Sequence, residues 1–135
     1  KGSVLHIFEI NDEQEDFTRP WLEQSASADK IKFYIGDALE RVPQLGITFD
    51  LVFVDGDKRK YMEYYEMSLA HLSPGGYIIA DNTLWDGHVT ETPNPNDAQT
   101  IGIQAFNEFV AKDNRVEKVI LPLRDGLTII RKKNE

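Results

Sequence analysis

Short apolar runs alternate with stretches of helical spacing along this chain, and that alternation restricts the fold more than any other feature. Runs at 4–10, 31–35, 49–54 and 77–80 read as strands. After the first, Asn11-Asp12 opens a helix in which Asp12 and Glu15 have capping-box spacing. Phe17, Trp21 and Leu22 form its expected inner face, and Pro20 should kink it or end its first half, since proline removes a donor and clashes one turn back. Gly36-Asp37 leads into a short helix ending near Pro43. Tyr61, Tyr65, Ser68, Leu69 and Leu72 recur at helical spacing over about 60–72, and Ser73-Pro74-Gly75-Gly76 ends that helix. Residues 83–97 read as a long loop, a length usual for functional or mobile segments. Ile103, Phe106 and Val110 mark a helix over 98–112. Runs at 116–123 and 127–131 are joined through Arg124-Asp125-Gly126, a hairpin signal. Strand and helix alternate until that hairpin, which argues one α/β domain over 1–135 with a mostly parallel sheet and an antiparallel end.

Composition removes several function classes. The net charge is −8, from 15 Lys and Arg against 23 Asp and Glu, which argues against nonspecific nucleic-acid binding. No cysteine is present, so neither a disulfide framework nor a thiolate metal site is available. No apolar run approaches the roughly 18 residues needed to span a bilayer, so no membrane partner is expected. A cytoplasmic location is the expectation.

Two strands end in oxygen ligands. Leu51-Val52-Phe53-Val54 is followed by Asp55-Gly56-Asp57-Lys58, and Tyr77-Ile78-Ile79-Ala80 by Asp81-Asn82. Ligands of open parallel sheets bind outside the carboxyl ends of strands. Two carboxylates, an amide oxygen and a lysine gathered there suit a hard divalent cation with a basic group beside it. Magnesium is the first choice, with calcium or manganese as alternatives. The competing reading makes these residues caps and turn formers. Lys58 either forms a surface ion pair with Asp57 or takes a proton from a hydroxyl held at the metal. Glu9, ending the first strand, is either a ribose-binding carboxylate or a solvated strand-end acid. Asp37 is an N-cap that is compatible with a nucleotide contact. Trp85 either walls a flat substrate or packs on the core. His71, near a helix end, is placed to face its negative dipole, the stripe Tyr61, Tyr64, Tyr65 reads as helix packing, and Arg131-Lys132-Lys133 reads as a solvated strand end.

At these residues the chain resembles the cation-dependent O-methyltransferases, the group containing catechol and caffeoyl-coenzyme A methyltransferases. The resemblance runs from about Val4 to Arg131. It is carried by Phe53-Val54-Asp55-Gly56-Asp57-Lys58 with Tyr61, by Pro74-Gly75-Gly76, by Ala80-Asp81-Asn82-Thr83-Leu84-Trp85-Asp86-Gly87, and by Leu121-Pro122-Leu123-Arg124-Asp125-Gly126-Leu127. It implies a Rossmann-like sheet that binds S-adenosylmethionine. It implies that Glu9 holds the ribose, that Asp37 and Ala38 lie by the adenine, and that Asp57 helps frame the cofactor. Asp55, Asp81 and Asn82 would bind the metal, with Asp55 also facing the acceptor, and Lys58 matches the base. Asp86 stands where plant members commonly carry a substrate-contacting asparagine. The implied partner is a small hydroxylated acceptor, and the implied assembly is a homodimer.

The family also has substrate-binding helices, a first strand and a glycine-rich loop ahead of the segment that matches here. Without that strand, the implied sheet becomes two strands, a gap, then four. The strand at 4–10 is then expected to shift against the strand at 50–54 or to be completed across a dimer, and the fragment is expected to be inactive. Two other readings compete. Phe53-Val54-Asp55-Gly56-Asp57 resembles the nucleophile motif of haloacid dehalogenase-type phosphatases, although Arg59 stands where that motif wants Thr or Val. The other is a noncatalytic binding or dimerisation module.

Overall fold

Parallel strands cannot be joined by a tight turn, so each parallel pair in this chain brackets a helix. The computed structural model describes residues 2–134. Two compact units divide the chain, Lys1–Gly46 and Ile47–Glu135.

In the first unit, β1 (Leu5–Glu9) and β2 (Ile31–Ile35) pair in parallel, from Leu5 opposite Ile31 to Glu9 opposite Ile35. Among the described residues the ladder of β1 is with β2. The crossover is α1 (Glu13–Glu23). The capping box is not made: the Asp12 side chain forms no cap, Asn11 Oδ1 accepts from Glu13 N at 3.1 Å, and Glu15 turns to Arg19. The helix does not end at Pro20 but continues to Glu23. Asp16, whose carbonyl loses its donor to the ring, is exposed, and water can satisfy it. Phe17 and Trp21 are exposed, contrary to their expected inward face. After β2, Asp37 Oδ1 accepts from Leu39 N at 2.9 Å and caps α2 (Ala38–Leu45), which ends at Gly46 in the left-handed region.

In the second unit, β3 (Phe49–Val54) leads through a 3-10 turn (Lys58–Lys60) into α3 (Tyr61–Ala70) and back to β4 (Leu72–Asp81). A pair of tight turns (Trp85–Thr90) precedes α4 (Ala98–Lys112), and β5 (Val116–Leu121) and β6 (Leu127–Lys132) form the closing hairpin. The sheet order is β3-β4-β6-β5, with β3 and β4 parallel and the other two ladders antiparallel. β4 begins earlier than its apolar run, because Leu72 already pairs with Phe49 and a register shift absorbs Ser73 to Gly76. Helices α3 and α4 cover one face. Val54, Ile78, Ala80 and Ile130 from the sheet meet Tyr61, Tyr65, Leu69, Ile103, Phe106 and Val110. Phe106 stands edge-on to Tyr61 at 5.5 Å and to Tyr65 at 6.0 Å between ring centres. On the other face Leu51 and Phe53 are exposed, so β3 is not buried on both sides as its apolar run suggests.

Polar groups complete this unit. Tyr65 donates to Asp113 Oδ2 at 2.8 Å, and Arg115 bridges Asp113 and Glu66. The Arg115 guanidinium holds the Asp113 carboxyl down at about 2. Lys132, expected to be solvated, donates to the Leu69 and Leu72 carbonyls at 3.0 and 2.9 Å. His71 caps α3, its Nδ1 2.9 Å from the Met67 carbonyl, as a helix end favours. Gly102 of α4 lies against the 3-10 turn: a Cβ there would sit 2.4 Å from the Lys58 carbonyl oxygen and 2.9 Å from Arg59 Cα.

Candidate active site

Val54 and Ala80 are register partners in adjacent parallel strands, so the next residues, Asp55 just past β3 and Asp81 as the last residue of β4, stand side by side at the strand ends. Lys58 folds back to them on the 3-10 turn. It is only 8% exposed, and its Nζ donates to Asp55 Oδ1 at 2.9 Å and to Tyr61 Oη at 2.8 Å. Tyr61 in turn donates to the Asp81 carbonyl at 2.7 Å. One chain of hydrogen bonds thus runs from the Asp55 carboxylate through Lys58 and Tyr61 to the β4 backbone. Burial first, and then the charges of Asp55 and Asp81, push the Tyr61 hydroxyl well above its ordinary range, so it stays a neutral donor. The ion pair between Lys58 and Asp57 is not formed. Asp57 caps the 3-10 turn, accepting from Arg59 N at 3.0 Å, and its carboxylate pairs with the Arg59 side chain, which holds it down at about 2.

Three oxygens at these strand ends have no hydrogen-bond partner among the described residues: Asp55 Oδ2, Asp81 Oδ2 and Asn82 Oδ1. Oδ1 of Asp81 is occupied by the Asn82 amide N at 2.7 Å. Among the described residues no group of three His, Cys, Asp or Glu side chains could hold a metal ion. Two carboxylates and an amide are nevertheless the donor chemistry of a magnesium-type site, in which water and a bound oxygen substrate complete the octahedron. The residues present therefore fit the group.

The segment after β4 is held in unusual backbone conformations. Asn82, Trp85 and Asp86 all have positive φ, at 59°, 48° and 51°, and so does Arg124, at 51°, in the hairpin turn. Asn and Asp tolerate this region, whereas for a bulky residue such as Trp85 it is a strained outlier. Strain of this kind clusters at functional sites. The hairpin turn over-determines it. Thr83 N donates to the Gly126 carbonyl at 3.2 Å and Leu84 N to the Asp125 carbonyl at 2.9 Å. The Asp125 side chain accepts from Asn82 Nδ2 at 3.2 Å and from Asp86 N at 2.5 Å. Gly126 permits this approach: its φ is +85°, and a Cβ would meet Leu84 N at 2.8 Å. From the sequence, Asp125 reads as a turn former within the closing motif of the resemblance, with no role at the site. The Asp-Gly pair gave no sign that the turn folds onto the strand end. Trp85 turns inward, donating from Nε1 to Thr100 Oγ1 at 3.0 Å and packing against the core cluster. Asp86 is exposed beside a cleft of about 600 Å³ lined by Leu84, Val89, Arg124 and Asp125.

In the first unit, Glu9 accepts from Asn11 N through Oε1 at 2.8 Å, and its second oxygen has no partner among the described residues. It is half-buried at the carboxyl end of β1, one register position before Gly36 and the Asp37 cap, with Ala38 opening α2. A half-occupied carboxylate at a strand end fits a hydrogen-bonded diol. His88, in the loop after β4, pairs with Glu91 at 3.0 Å rather than with any of these groups.

A family model described as O-methyltransferase matches residues 1–133. The chain is 34% identical to tricin synthase 1 of Oryza sativa subsp. japonica, over 97% of this chain and 57% of that protein. It is also 34% identical to caffeoyl-CoA O-methyltransferase 1 of Eucalyptus globulus, over 97% of this chain and 57% of that protein. Among solved structures it is similar to the O-methyltransferase from Bacillus cereus in complex with SAH, with a TM-score of 0.90, 27% identity, and 98% of this chain against 64% of that one. The chain therefore spans little more than half the length of the curated relatives it matches.

Proposed function

Because the chain belongs to the O-methyltransferase family, we propose that its protein transfers a methyl group from S-adenosylmethionine to a hydroxyl of a catechol-like small molecule, with a divalent cation. The observation that carries this reading is the set of three unpartnered oxygens beside a buried lysine at the ends of β3 and β4. The relatives' names, tricin synthase and caffeoyl-CoA O-methyltransferase, support an aromatic hydroxylated acceptor. The structure of the Bacillus cereus enzyme with SAH supports the cofactor.

Asp55, Asp81 and Asn82 hold the cation, with magnesium as first choice. The cation supplies Lewis acidity, which eases deprotonation of an acceptor hydroxyl. Lys58 Nζ takes that proton in this reading. Asp55 Oδ1 and Tyr61 Oη fix its position, and the Tyr61 phenol stays protonated beside it. Glu9 orients the cofactor ribose through its second carboxylate oxygen, Asp37 and Ala38 border the adenine, and Asp57 frames the cofactor from the start of the 3-10 turn. The cofactor supplies an electrophilic methyl group, and these residues contribute chiefly by orienting the reactants. Asp86 contacts the acceptor, while Trp85 supports that wall from the core side. Residues 1–135 act as one catalytic domain in this reading, in a cytoplasmic homodimer. Leu51 and Phe53 on β3 and Val119 and Ile120 on β5, all exposed, support self-association.

Methyl transfer measured in the full natural protein tests this. Asp81→Ala should lower magnesium-supported turnover by roughly a hundredfold, since a Lewis-acid metal supplies several kcal/mol. In parallel, Glu9→Ala should weaken S-adenosylmethionine binding by about 1.5–3 kcal/mol, the range for a charged hydrogen bond. Unchanged turnover and metal affinity in Asp81→Ala would refute the metal assignment.

A further inference from the structure

Asp125 lies outside the metal-ligand set, yet its carboxylate touches both ends of the segment that carries Asn82. Oδ2 accepts from Asn82 Nδ2 at 3.2 Å, and Oδ1 accepts from Asp86 N at 2.5 Å. The contact with Asn82 decides which way that amide faces. A carboxylate accepts hydrogen bonds and donates none, so only the NH2 end of Asn82 can sit against it. The amide oxygen is then turned away from Asp125, and it has no other partner among the described residues. Only that oxygen is a ligand for a hard cation; an amide NH2 in its place offers no lone pair and two positive edges. Asn82 is also fixed at its backbone, with φ of 59°, its N on Asp81 Oδ1 at 2.7 Å, and its carbonyl accepting from Trp85 N at 3.2 Å. The orientation of the side-chain amide is the freedom left to set.

We infer that Asp125 is a positioning residue for the cation site: it selects the Asn82 rotamer that presents oxygen, and through Asp86 N it ties the acceptor-side turn to the same carboxylate. This rests on the proposed metal reading and extends it to a residue that touches neither metal nor cofactor. Outer partners of metal ligands set ligand orientation in this way, and their loss typically weakens metal affinity by ten- to a hundredfold.

A donor swap tests the inference without any turnover assay. In Asp125→Asn, the new amide oxygen keeps the bond from Asp86 N, and its NH2 group meets the NH2 of Asn82. Asn82 should then turn over and withdraw its oxygen. In the double variant Asp125→Asn with Asn82→Asp, the new NH2 donates to a carboxylate, whose other oxygen again faces the site. The probe is Mn2+, an oxygen-seeking divalent ion, with the free ion counted by electron paramagnetic resonance and with thermal melting in the absence of metal confirming that each variant folds. Asp125→Asn should bind Mn2+ at least tenfold more weakly than the parent. The double variant should regain that loss and bind more tightly than either single variant. Binding by Asp125→Asn within twofold of the parent would overturn the inference and leave the metal reading standing. So would a double variant no tighter than both single variants. A parent chain that binds no Mn2+ would overturn the metal reading and this inference together.

Discussion

Twelve buried side chains form one cluster in the second unit, whereas in the first Val42 is the only fully buried hydrophobic residue among those described. Phe17 and Trp21 of α1 are 69% and 67% exposed. The four-stranded sheet has two helices packed on one face; the two-stranded sheet is held by its ladder, by Phe8 stacked on Tyr34 at 5.0 Å, and by Arg19 over Phe33 at 5.2 Å. An isolated two-stranded sheet is marginal in water. The difference teaches how the proposed roles are distributed. The carboxylates assigned to the cation sit on the rigid scaffold, which suits a site whose ligands must be fixed closely. The carboxylate assigned to the cofactor ribose sits where local opening is cheapest.

The largest expected effect separates the two units by a truncation of the same kind in each. Phe106→Ala removes a ring wedged between Tyr61 and Tyr65 and should lower stability by about 3–5 kcal/mol. Phe17→Ala should stay within about 0.5 kcal/mol of the parent, as exposed substitutions do. Urea denaturation measures both, and equal losses would break the comparison.

A smaller effect belongs to the polar side of the second unit. Asp113→Ala strands Arg115 and the Tyr65 hydroxyl, at a cost of about 2–3 kcal/mol at neutral pH. The effect should be pH-dependent. In the folded chain the Asp113 carboxyl is held at about 2 against an ordinary 3.8. A lowered folded value means stabilisation that is complete above the unfolded value and is lost as pH falls through the folded one, here about 2 kcal/mol. The stability gap between parent and variant should therefore narrow between about pH 4 and pH 2. A gap constant over that range would show that the loss is one of packing alone.

The smallest effect sharpens the view of the first unit. Arg19 joins Glu15 one turn away, with Nε 3.0 Å from Oε1, and covers Phe33. Its replacement by alanine should lower stability by about 0.5 kcal/mol, less at high salt, as for exposed pairs. A loss above about 2 kcal/mol would mean that this pair anchors the unit, and that the contrast drawn from burial is too sharp.

Where a pattern in the sequence is set by local physics, it is legible. The helix over 98–112 is readable because Ile103, Phe106 and Val110 repeat at helical spacing, and the strands at 31–35 and 49–54 because each is an unbroken apolar run. The spacing of Asp55, Lys58 and Asp81 likewise brings together groups that the structure joins through Tyr61. Tertiary partners decide what is not legible. Ser73 to Gly76 looks like a helix end and a turn, yet lies within β4, between Leu72, which pairs with Phe49, and Tyr77, where the ladder to β6 begins. Glu15 has cap spacing, yet Arg19 takes it. Phe17 and Trp21 look like core, and no helical periodicity says whether a face finds anything to bury against. Asp125 is 43 positions from Asn82, and only the folded hairpin makes them neighbours.

Gly102 gives this architecture a rule for protein engineering. Replacing a glycine inside a helix by alanine ordinarily stabilises, by about 1 kcal/mol. Here the added methyl would press on the carbonyl of Lys58 itself, backbone against side chain, with no flexible end to yield. A stabilising library that treats helix glycines as interchangeable would select against the very turn that aims the lysine. The surviving sequences would be free to vary along the exposed side of α4, while on its inner side Gly102 is barred from growing, just as Ile103, Phe106 and Val110 are barred from shrinking.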